Sequence, residues 1–140
     1  MAEVIHGVAW SDAYKLGNEK VDEQHKMLFS LLSGLIVSCE DGTNLDKVKE
    51  ALDFLVNYTV QHFNDEEALQ IRCGFPDYEN HKKIHEEFKV TVGELVGNFN
   101  ESGSSEELCA STNKIVVKWL IRHIQGEDKK ISKYLIDSIL

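Results

Sequence analysis

Val48, Leu52, Leu55, Thr59, His62 and Glu66 follow one another at alternating steps of four and three residues. That rhythm draws one stripe down an α-helix and is wrong for a strand, whose faces alternate at every second residue. The stripe also changes character along its length, apolar at one end and imidazole with carboxylate at the other. A chain built from such stripes has to bundle its helices and has to give the polar ends partners.

Three further segments repeat the pattern. Val21, His25, Leu28, Leu32, Leu35 and Ile36 define a helix from about Glu19 to Cys39. His81, His85, Phe88, Val92, Leu95 and Phe99 define one from Pro76 to about Asn98, and Leu108, Ile115, Trp119 and His123 one from about Ser105 to Gln125. The helix of the first stripe runs from Leu45 to Arg72. Turn chemistry separates them: Glu40-Asp41-Gly42-Thr43 with Thr43 or Asn44 as a cap, Cys73-Gly74 with glycine suited to a left-handed closure, and Ser104 with Glu107 as a capping box. Gly126 is expected to interrupt the fourth helix, with Ile131, Tyr134, Leu135 and Ile136 forming a short amphipathic C-terminal helix. An N-terminal arm ends near Gly17, and its Trp10 and Tyr14 are expected to pack on the bundle. The prediction is an all-α, antiparallel up-down-up-down four-helix bundle, a single domain over residues 1–140.

That topology gathers the polar residues. His25 lies near the start of the first helix, His62 and Glu66 near the end of the second, His81 and His85 near the start of the third, His123 at the end of the fourth. In an up-down-up-down bundle all four places share one end. Asp128 lies five residues beyond His123, about 500° around a regular helix, so it joins the others only if the backbone unwinds near Gly126. One histidine on an apolar stripe is ordinarily a hydrogen-bonded core residue. Five of them with a glutamate would leave several buried polar groups short of partners at several kcal/mol per uncompensated charge, roughly speaking. Lys82 and Lys83 project away from the His81–His85 face and cannot neutralise them. A metal site is the reading that satisfies these groups. Glu67, about 100° around from Glu66, is expected in solvent.

Imidazole with carboxylate is a ligand mixture for iron and other transition metals. A structural zinc site takes about four ligands and usually includes cysteine, and a mononuclear iron oxygenase needs about two histidines and one carboxylate. Ferritin-like bundles place a histidine three residues after a glutamate, which none of the five clustered histidines does. Seven imidazole and carboxylate groups over four helices are about what two octahedral metal ions need from a protein, and two carboxylates among them would leave a pair of iron ions incompletely neutralised. That balance favours reversible two-electron exchange with a small ligand over oxidation of an organic substrate.

Composition narrows the partners. A net charge of −9 repels nucleic acid and anionic membranes, and no segment has the length of a membrane span. Cys39, Cys73 and Cys109 are odd in number and form no CxxC pair, which suits a reducing, cytoplasmic setting. The N-terminus shows no signal-peptide pattern.

Trp10, Gly17, Val21-Asp22-Glu23-Gln24-His25, His62-Phe63-Asn64-Asp65-Glu66-Glu67, His81-Lys82-Lys83-Ile84-His85 and Trp119-Leu120-Ile121-Arg122-His123-Ile124 with Asp128 together resemble the hemerythrins, in particular their single-domain bacterial members. The resemblance covers nearly the whole chain. It implies two iron ions with an oxo or hydroxo bridge, one held by His81, His85 and His123, the other by His25 and His62, with Glu66 and Asp128 spanning both. It further implies reversible binding of dioxygen at a vacant position on the second iron, as a carrier, store or delivery protein and not an enzyme. An oxygen or redox sensor, or a protein acting on peroxide, nitric oxide or iron itself, is the alternative. An oxygen-consuming acceptor protein would be a partner of unspecified identity. Leu28, Phe29, Phe63, Trp119 and Ile124 lie within a turn of the ligands and are candidates for the pocket wall.

Overall fold

The computed structural model describes residues 10–41, 45–102 and 106–139. The expected caps at Thr43 or Asn44 and at Ser104, and the side chains of Leu108 and Ile136, lie outside what is described. Three long helices, α1 (Glu19–Asp41), α2 (Leu45–Cys73) and α3 (Tyr78–Ser102), are followed by a fourth helical rod. That rod comprises α4 (Glu106–Thr112), a π-helical segment (Asn113–Val117), α5 (Lys118–Arg122), a second π segment (His123–Glu127), a 3-10 turn (Asp128–Ile131) and α6 (Ser132–Ile139). No strand occurs among the described residues. Consecutive helices pack on one another through short connections, and α6 folds onto α2. This is the antiparallel bundle that the stripes predict.

Local chemistry sets the ends. Gly17 adopts φ 109, and Asn18 Oδ1 accepts the Val21 N–H at 3.0 Å to open α1. Asp22 accepts the backbone N–H groups of Leu16 (2.8 Å) and Gly17 (3.2 Å), tying the N-terminal arm to α1. Trp10 and Tyr14 pack on the bundle as expected, both against Phe29, with Tyr14 stacked on it at 5.2 Å. α2 closes with Gly74 at φ 72 and the Phe75 N–H donating to the Gln70 carbonyl at 2.9 Å, the predicted left-handed cap. α3 starts at Tyr78, two residues later than the proline suggests. Phe75 is committed to the cap of α2, so Pro76 and Asp77 are used in the reversal. Asp77 then accepts the His81 N–H at 2.9 Å.

The apolar interior is split in two. The larger cluster holds Leu28, Leu32, Leu35, Leu52, Leu55, Phe63, Phe88, Val92, Leu95, Phe99, Leu120 and Ile124. The smaller one, at one end, holds Leu16, Val21, Leu69, Phe75, Ile131 and Leu135. Along α1 the order is Val21, His25, Leu28; along α2 it is Phe63, Glu66, Leu69; along the fourth rod it is Ile124, Asp128, Ile131. The polar residues therefore form a layer closed on both sides by hydrocarbon.

Candidate metal centre

All seven residues singled out by the sequence meet in that layer, and each is at most 4% exposed. Two overlapping groups have their ligand atoms within 4.8 Å of one another: Glu66, His81, His85, His123 and Asp128 in one, and His25, His62, Glu66 and Asp128 in the other. The two carboxylates belong to both. Glu66 Oε1 lies 3.1 Å from His81 Nε2 and 3.4 Å from His85 Nε2, whereas Oε2 lies 3.4 Å from His25 Nε2 and 3.3 Å from His62 Nε2. Asp128 divides likewise, Oδ1 at 3.0 Å from both His81 and His123, Oδ2 at 3.1 Å from His25.

Asp128 reaches this position by a local unwinding that includes Gly126, as expected, but with no break in the rod. The rod stays right-handed helical, and the Asp128 N–H donates to the His123 carbonyl, an i→i−5 bond. A π turn returns a residue to the same face after five steps, where an α turn would carry it away. Gly126 is exposed and helical.

Glu67 is a second correction. It is 8% exposed, and its Oε2 accepts from His85 Nδ1 at 2.7 Å. The sector of α2 beside Glu66 faces α3 and not solvent. Gln24, which the sequence reading passed over, does the same for the other group. Its Oε1 accepts from His62 Nδ1 at 2.7 Å, while its Nε2 donates to Asp65 Oδ2 at 2.8 Å, with Lys20 3.7 Å beyond. A polar residue adjacent to a ligand on the interhelical side was the available signal. With Nδ1 protonated toward these acceptors, Nε2 of His62 and His85 turns a lone pair inward.

The donor set fits metal. His25 Nδ1 and Nε2, His62 Nε2, Glu66 Oε2 and Asp128 Oδ1 are buried without a hydrogen bond, and the Nε2 atoms of His85 and His123 lie 3.0 Å apart. Acceptors crowded onto one point need a shared cation. Protons are the weaker substitute. Burial alone would depress His25 and His81, but Asp128 and Glu66 override it and push them up to about 9 and about 10. Burial would raise Glu66, but His25, His62, His81 and His85 hold its carboxyl well below the usual range. Asp128 is also lowered: burial and Glu66 oppose this, and His123 and His25 prevail.

Of the expected wall residues, Phe63 stacks on His85 at 3.7 Å and Trp119 on His123 at 4.5 Å. Leu28 and Ile124 are buried in the adjoining core, while Phe29 is taken up by the arm.

A helical bundle with five imidazoles and two shared carboxylates in a dry layer defines a protein class built to hold a pair of metal ions. The family model described as the hemerythrin HHE cation binding domain matches residues 16–135, and the chain belongs to the hemerythrin family, whose domain binds a di-iron centre. Bacteriohemerythrin of Stenotrophomonas maltophilia (strain R551-3) is 30% identical over 122 residues, covering 87% of this chain and 77% of that protein. Myohemerythrin of Theromyzon tessulatum is 29% identical, covering 91% and 93%. A crystal structure of wild-type hemerythrin superposes with a TM-score of 0.78 at 25% identity, covering 91% of this chain and 96% of that one. No helix among the described residues is long and apolar enough to cross a membrane.

Proposed function

We propose that this chain binds dioxygen reversibly at a non-heme di-iron centre, as a carrier, store or delivery protein. The observation that carries this reading is the unequal division of donors. His81, His85, His123, Glu66 and Asp128 make a group of five, and His25, His62, Glu66 and Asp128 a group of four. The first group would hold one ion with five residues and the second would hold the other with four, which would leave the second ion the more open to a small ligand. Two iron ions so held supply the two-electron chemistry of reversible dioxygen binding.

The chain's own residues provide the rest. Gln24 and Glu67 fix the rings of His62 and His85 through their Nδ1 protons. Leu28, Phe63, Leu120 and Ile124 close the layer on one side, Val21, Leu69 and Ile131 on the other, which keeps water out. No side chain is required as a general acid or base, so the role is that of a carrier and not an enzyme. We read residues 1–140 as one such unit. The free thiols of Cys73 and Cys109, and the odd number of cysteines, suit a cytoplasmic setting.

The test is to load iron, reduce anaerobically, admit oxygen and follow the visible charge-transfer band through repeated removal and readmission. A band that returns over many cycles supports the carrier. Irreversible oxidation on first exposure would turn the reading to a sensor or an enzyme of peroxide or nitric oxide.

A further inference from the structure

Beside the centre, an open groove of about 700 Å³ runs between α3 and the fourth rod, lined by Ile84 and Thr91 on one bank and Lys114, Ile115, Lys118, Trp119 and Arg122 on the other. His123 forms part of its floor and, at 4%, is the most exposed of the seven residues of the layer. Trp119 sits half-buried in the groove, sandwiched between Phe88 (3.9 Å, 16°) and His123 (4.5 Å, 11°). The groove is thus the place where the layer approaches solvent through one aromatic ring.

Its charge is out of keeping with the rest of the molecule. The chain carries 24 acidic against 15 basic residues, yet Lys114, Lys118 and Arg122 all line this groove, exposed and without an ion pair among the described residues. The acid at its end, Glu127, is engaged by Lys130 at 3.3 Å. A half-buried apolar centre (Ile84, Ile115, Trp119) within a cationic rim has the anatomy of a small transient protein interface, and it is too open to enclose a small molecule. At physiological ionic strength charges are screened beyond about 8 Å, so the local cations and not the overall negative charge govern docking.

We infer that this groove is the docking surface for an acidic one-electron donor protein that returns the oxidised centre to its oxygen-binding state. The inference rests on the function proposed above. Two donor molecules would each give up one electron, the two ferric ions that the layer would hold would take up one each, and the accompanying proton would come from solvent to an oxygen ligand of the metals. No bond to the protein changes. Trp119 and His123 are the contact between donor and centre.

The probe is flavodoxin, an acidic flavin protein. Its oxidised form, which passes no electron, is titrated into the protein by calorimetry. Its reduced form is mixed anaerobically with the oxidised, iron-loaded protein and the rate of reduction followed. Lys114→Glu/Lys118→Glu should weaken association and slow reduction by about tenfold, whereas Lys47→Glu/Lys49→Glu, with the same charge change on α2, should do neither. Reduction by a small uncharged reductant should be the same in all three proteins. Equal effects of the two double variants, or no effect of either, would overturn the proposal. So would free flavin mononucleotide binding as tightly as the protein. Failure to take up two irons would instead sink the proposed function, and the titration with oxidised flavodoxin would still judge the surface.

Discussion

Glu67 Oε2 stands 2.7 Å from His85 Nδ1 and so decides which ring nitrogen of His85 faces Glu66. Ligand histidines held in this way lose about 10–100-fold in metal affinity when the holding group is removed. Glu67→Ala should therefore weaken iron binding by about that factor, while Glu67→Gln, which keeps an acceptor, should retain most of it. Competition with a chelator of known affinity measures both. Equal affinity in Glu67→Ala and wild type would remove Glu67 from any role in the site.

Asp128 contributes one oxygen to each group of donors. Its loss should break the pairing and not simply weaken one position. Asp128→Ala is expected to bind fewer than two irons per chain, read by elemental analysis against protein concentration. Two irons with an unchanged visible spectrum would contradict the bridging assignment.

Removal of metal should destabilise the bundle, because the buried layer then confronts its own unpaired atoms. The melting temperature should drop on chelation by about 2–4 °C for each kcal/mol of binding free energy withdrawn. An unchanged transition would mean the layer is self-sufficient without metal.

The metal-free protein should respond to pH in a defined sense. His25 and His81 are raised from 6.5 to about 9 and about 10, so their stabilisation is full below pH 6.5 and disappears as pH climbs through 9 to 10. Glu66 and Asp128 are depressed from 4.5 and 3.8, so theirs is present above those values and fades as pH falls. Denaturant midpoints of the metal-free protein should peak between pH 4.5 and 6.5 and decline toward pH 10. Iron binding should run the other way and tighten as pH rises, since the metal competes with those protons.

Phe63 lies parallel to His85 (3.7 Å, 2°) and edge-on to Phe88 and Trp119. Phe63→Ala should cost about 3–5 kcal/mol, read from urea unfolding, through lost burial and the cavity left behind. It should also shorten the lifetime of the oxygen-binding form, as water reaches the layer. A variant that cycles oxygen as durably as wild type would show that Phe63 does not exclude water.

Much of this was legible in the chain because helical periodicity is a local property. The four-three steps of Val48 to Glu66, or of His81 to Phe99, place side chains on a face before any tertiary contact exists. Combined with short connections, they put His25, His62, His81 and His123 at one end. What periodicity cannot express is a change in the period itself. The i→i−5 bond between His123 and Asp128 stands outside the rule that made the other six residues readable, so Gly126 was assigned a break that the rod does not contain.

The amino-acid order alone determined the helices, their antiparallel order and six of the seven side chains of the layer, since each of those follows from spacing along one helix and from the need of buried polar groups for partners. Tertiary packing alone decided that Gln24 and Glu67 hold His62 and His85, that each carboxylate divides its oxygens between two donor groups, and that three cations with no ion pair among the described residues line one groove with Trp119. Those relationships depend on how one helix is rotated against the next. That angle is set by the fit of whole surfaces and is written in no single segment.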